Sequence, residues 1–104
     1  MSFIDTVKSF VTGKTPAAEL KQIRERIAAS EAELARLDEE IGRRALPVLK
    51  GDADAQRAVA ECEAQKHEIR GRLDLLRQAE GRVAEVVAAE AAAKRRAEIE
   101  AGPE

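Results

Sequence analysis

Tryptophan and tyrosine are absent from this 104-residue chain, and Phe3 and Phe10 are its only aromatic side chains. A chain this short has a small interior to begin with, and without bulky rings that interior must be thin, built of Leu, Ile, Val and Ala. Cys62 is the single cysteine and His67 the single histidine. One cysteine excludes an intramolecular disulfide and gives no sign of an oxidising compartment. One histidine and one cysteine do not make a zinc ligand set, so no metal or cofactor is expected. His67-Glu68 begins a zinc-protease pattern, but the second histidine would fall at Gly71. The chain has no apolar leader and no window near the roughly 18 apolar residues of a membrane span, which makes a cytoplasmic location the expectation.

Charge of one sign is also missing. Eighteen basic residues stand against twenty acidic ones, a net charge of −2, so no whole-molecule field gathers nucleic acid or an anionic membrane. Arg70, Arg72 and Arg77 have carboxylates within reach, and Lys94-Arg95-Arg96 is short, interleaved with glutamates and without stacking aromatics. Nucleic acid is therefore not an expected partner. Gly13-Lys14-Thr15 looks like the end of a phosphate-binding loop, but that motif needs a glycine where this chain has Lys8, and it needs a preceding strand.

What the chain has in quantity is alanine, glutamate and arginine, all well tolerated inside helices. Leu20, Ile23, Ile27, Leu34, Leu37 and Ile41 follow one another at steps of three and four, with Ser30 as the one polar interruption. That is a heptad pattern, the mark of a helix presenting a narrow apolar stripe to another helix. Val59, Cys62, Ile69, Leu73, Leu76, Val83 and Val87 repeat it, interrupted by Lys66 and Glu80. The spacing predicts an all-α chain: an antiparallel two-helix coiled-coil hairpin over residues 15–100, with helices at 16–46 and 54–99 and a tip at 47–53. Thr15 and Pro16 suit the cap and first position of the first helix, Pro47 a kink or break, and Gly51 with Asp52 or Asp54 a stop and a new cap. Residues 101–104 read as a disordered tail.

Residues 1–14 read as a short amphipathic helix with Phe3, Val7 and Phe10 on one face and Ile4 and Val11 beside them, capped by Ser2 and ended by Gly13. A helix of that length is unstable alone in water, where roughly 12 to 15 residues are the minimum, so it must dock on something.

Two pairings of the long helices compete. If the numbers of facing residues add to about 103, the turn centres near Gly51, but Lys66 faces Leu37 and Glu80 faces Ile23. One heptad along, at about 110, Leu34 meets Leu76, Leu37 meets Leu73, Ile41 meets Ile69, Ile27 meets Val83 and Ile23 meets Val87. Ser30 then faces Glu80 and Arg44 faces Lys66, while Glu31 approaches Arg77, Asp38 approaches Arg70 and Glu40 approaches Arg72. Because an apolar layer outweighs an exposed ion pair, the second pairing is the expected one.

Carboxylates spread over solvated helix faces imply no pocket in which an acid or base could be tuned, so no catalytic residue is assigned and no enzymatic activity is expected. The expected function is that of a structural or interaction protein: a coiled-coil adaptor, scaffold or assembly factor working through helix–helix protein contacts, with a second copy among its partners in a larger bundle. Candidate contact residues are Phe3, Ile4, Val7, Phe10 and Val11 on the first helix and Leu46, Val48 and Leu49 at the tip. The tip residues either close the end of the core or stand exposed as an apolar patch. The alternative function is a peripheral membrane protein that lays the N-terminal apolar face on lipid.

Overall fold

The structure, a computed structural model, describes residues 15–100. The N-terminal segment with Phe3, Ile4, Val7, Phe10 and Val11, and the four C-terminal residues, lie outside that range.

Two helices, α1 (Pro16–Leu49) and α2 (Ala53–Glu100), make up the described chain, joined by Lys50, Gly51 and Asp52. Thr15 caps α1: its Oγ1 accepts from the Ala18 amide at 3.2 Å and its carbonyl from Glu19 at 2.9 Å. Pro16 follows at the first helical position, where the N–H it lacks would have had no partner.

At its other end α1 runs three residues beyond the expected 46, and Pro47 lies inside it. The physical reason is the position of the proline in the last turn. Its missing N–H removes one intrahelical bond, and its carbonyl then anchors the helix end, accepting from the amides of Lys50 and Asp52 at 3.1 Å each. Gly51, at φ +89°, donates to the Val48 carbonyl at 3.0 Å. Together these bonds form a Schellman end, whose left-handed residue glycine fills without a steric penalty. Asp52 donates its own amide back to α1, while its Oδ1 accepts from the Asp54 and Ala55 amides at 3.0 and 3.2 Å and so caps α2. One residue thus closes one helix and opens the next, leaving almost no slack in the connection.

The chain packs as two compact units. In the unit Arg26–Arg77, α1 and α2 fold back on each other as a helical hairpin. Its core is Leu37, Cys62, Ile69 and Leu73, all buried, with Ile27, Leu34 and Ile41 packed against them half-buried. Leu76 is also buried, as are the polar Ser30 and Lys66. The other unit combines the described residues up to Glu25 with those from Gln78 onward. There Leu20 and Ile23 are buried, Val83 and Val87 are half-buried, and Arg24 pairs with Glu80 at 3.2 Å.

The pairing is not the one expected. Lys66 pairs with Asp38, residue numbers that add to 104, and Cys62 reaches Glu40, numbers that add to 102. The Arg24–Glu80 pair also adds to 104. The facing residues therefore follow the register in which the turn centres on Gly51. Of the flanking pairs expected in the other register, Glu31–Arg77 forms at 3.3 Å. Lys66, however, pairs with Asp38 and Glu80 with Arg24, while Arg44 is held by Glu40 of its own helix. The reason is the short connection. A shift of one heptad needs several more residues between the helices, and the Schellman end and the Asp52 cap leave only three.

Candidate functional site

The tip of the hairpin divides its apolar residues by orientation. Leu46 and Leu49 are 60% and 84% exposed, whereas Pro47 and Val48 are half-buried. In the last turn of a helix, positions three apart share a face, so Leu46 and Leu49 form one outward pair and Val48 turns inward. Around them Arg43 pairs with Glu39 at 3.4 Å, Arg57 pairs with Asp54 at 2.7 Å, and Lys50 is exposed. Two adjacent exposed leucines on a rigid, capped turn with a charged rim have the form of a contact surface.

Every residue assigned to the hairpin core from sequence is buried or half-buried. Leu20, Ile23, Leu37, Cys62, Ile69, Leu73 and Leu76 are buried, and Ile27, Leu34, Ile41, Val83 and Val87 are half-buried. Of the candidate contact residues, Leu46 and Leu49 face solvent, while Phe3, Ile4, Val7, Phe10 and Val11 fall outside the described residues.

The buried polar groups form a layer that the sequence pattern could not place. Lys66 is only 7% exposed, yet its ammonium meets the carboxylate of the exposed Asp38. The methylene stem of lysine lies along apolar neighbours while the charged end reaches the surface partner. The signal was there in Lys66 interrupting the heptad and Asp38 standing four residues beyond Leu34, but only the register pairs them.

Next to this layer the thiol of Cys62 donates to Glu40 Oε2 at 3.7 Å, and Arg44 Nη1 holds the same carboxylate at 3.7 Å. Burial raises the Cys62 pKa above its ordinary value, and the hydrogen bond and negative charge of Glu40 add to the rise, against smaller opposing effects of Arg44 and Arg36. The thiol is therefore held protonated and covered, the opposite of the environment that makes a reactive cysteine. In the native protein at pH 8, alkylation of Cys62 by iodoacetamide is expected to run at least about tenfold slower than in the urea-unfolded chain. Equal rates in the two states would show that neither burial nor Glu40 protects it.

On one flank of the hairpin the helices enclose a groove of about 550 Å³. α1 contributes Glu31, Leu34, Ala35 and Asp38, and α2 contributes Arg70, Leu73, Asp74 and Arg77. Glu31 and Arg77 bridge it, and Asp38 is held by Lys66. Arg70 and Asp74 are exposed and have neither an ion pair nor a hydrogen bond to any described side chain.

Among the described residues no three His, Cys, Asp or Glu side chains are placed to hold a metal ion, and no helix is long and apolar enough to cross a membrane. Compared with known proteins, the chain matches no family model, no curated protein and no solved structure.

Proposed function

We propose that this protein is a non-enzymatic coiled-coil adaptor, scaffold or assembly factor that acts through helix–helix contacts with other proteins. The observation that carries this reading is the exposed pair Leu46 and Leu49, at 60% and 84%, on a turn whose geometry is fixed by Gly51 and Asp52. Exposed leucines add nothing to the stability of the hairpin, and a preorganised apolar turn loses little conformational entropy when a partner covers it. The carboxylates support the same reading: Glu31, Glu39, Asp38 and Asp54 sit on exposed faces and are engaged by Arg or Lys.

A photo-crosslinking amino acid at position 49, introduced in the native cell, tests this. A discrete protein adduct is expected from position 49 and not from the exposed position 63. The adduct is expected to be lost when Leu46→Asp is added, with helix content unchanged. No discrete adduct, or one that survives Leu46→Asp, would overturn the tip as the contact surface. Recovery of the protein with anionic vesicles, abolished by Phe10→Glu, would instead favour the membrane reading of the N-terminal apolar residues.

A further inference from the structure

We infer that Lys66, through its pair with Asp38, selects the register of the hairpin and holds α1 and α2 against a slide of one heptad. The inference concerns the unit Arg26–Arg77 alone and does not depend on what the tip contacts.

Lys66 stands in the apolar seam of α2 between Cys62 and Ile69, and it is only 7% exposed. A lysine there costs stability relative to leucine, which would bury apolar surface with no charge to satisfy. The best-attested use of a buried polar group kept at such a cost is to fix which residues face each other.

The apolar layers make that choice poorly. With facing numbers that add to about 103, Ile41 stands level with Cys62, Leu34 with Ile69 and Ile27 with Leu76. After a slide of one heptad, Ile41 would stand level with Ile69, Leu37 with Leu73 and Leu34 with Leu76. Apolar meets apolar in each of these layers, so burial separates the two arrangements weakly.

Lys66 separates them strongly. As observed, its ammonium meets the Asp38 carboxylate at the edge of the seam, and Arg44 is held separately by Glu40 at 3.7 Å. After the slide Lys66 would stand level with Arg44, Asp38 would be carried a heptad away, and Glu40 would serve two cations. Lys66 therefore favours the observed register twice, by attraction to Asp38 and by repulsion from Arg44. The choice matters at the tip, because a slide would carry Leu46 and Leu49 roughly 10 Å along α2, away from the Asp54–Arg57 pair.

The short connection imposes the same register from the end of the hairpin, so the test must relieve it. Inserting about six glycine and serine residues between Gly51 and Asp52 gives the connection length enough for the slide. In that lengthened chain, Ile41→Cys/Ile69→Cys gives position 41 a choice under mild oxidation between the native Cys62 and position 69. Those two lie on one helix, too far apart to bridge each other. Peptide mapping reads which bond forms.

With Lys66 in place, the 41–62 bond is expected to exceed the 41–69 bond at least about tenfold. Lys66→Leu is expected to lower that ratio at least about tenfold, and Lys66→Glu, which repels Asp38 and attracts Arg44, to lower it further. Circular dichroism checks the helix content of each variant, and Lys66→Leu, which removes a buried charge, keeps the test decisive if Lys66→Glu fails to fold. A lengthened chain that forms mainly the 41–69 bond with Lys66 in place would show that the connection alone sets the register. A ratio unchanged by Lys66→Leu would show that the apolar layers set it. Either result would overturn the inference, as would a folded Lys66→Glu variant whose ratio stays above that of Lys66→Leu. Crosslinking from position 49 reads the tip and not the register, so either reading can fail alone.

Discussion

Leu37→Ala is expected to destabilise the hairpin by about 3 kcal/mol, within the range measured for deleting a fully buried leucine side chain. Leu37 is 1% exposed, the most deeply buried large side chain among the described residues, and it packs with Cys62, Ile69 and Leu73. Truncation removes three carbon atoms from a core that has few to spare. With only two helices around it, few neighbouring side chains can move in to fill the cavity. A domain of this size has a total stability of roughly 5 to 15 kcal/mol, so the loss is a large part of the whole. Urea unfolding followed by circular dichroism should show a lower midpoint with an unchanged slope. Leu49→Ala, the same chemical change at a position 84% exposed, should move the midpoint little. Equal effects at the two positions would mean that the core is not where the structure puts it.

Which residues build that core was legible in the sequence. The heptad pattern to which Leu20, Ile23 and Leu37, and Cys62, Ile69, Leu73 and Leu76, belong marked side chains that are buried in the structure. Periodicity reports one helix at a time, and the inward face of a helix is a local property. The caps were legible for the same reason: Thr15, Gly51 and Asp52 act within a few residues of themselves. Register is a relation between two helices, and there matching apolar layers gave the wrong answer by one heptad. It assigned Lys66 the cost of a buried charge, whereas its stem packs and its ammonium reaches Asp38. It also left out the connection, in which the Asp52 N–H bonds the Pro47 carbonyl and the Asp52 carboxylate caps α2. Ser30 shows the consequence: it is 5% exposed, while the larger and more apolar Ile27 and Leu34 on either side are only half-buried. The groove followed from the register as well, since an Arg70 that had found Asp38 would not have been left without a partner.

The register can be locked by one new covalent bond. Under mild oxidation Ile41→Cys is expected to form an intramolecular disulfide with the native Cys62. Ile41 packs against the cluster that contains Cys62, and its neighbour Glu40 already touches the Cys62 thiol at 3.7 Å. The bond closes a loop of about 20 residues, which should stabilise the oxidised protein by about 3 kcal/mol over its reduced form, chiefly by restricting the unfolded chain. Ile41→Cys/Ile69→Cys in a Cys62→Ala background is the complementary pair, matched only in a register shifted by one heptad, and it should stay reduced under the same conditions. Non-reducing gels separate the monomeric loop from any dimer joined through position 41. Rapid oxidation of the 41–69 pair with none of the 41–62 pair would place the hairpin in the other register and remove the basis for an unpartnered Arg70.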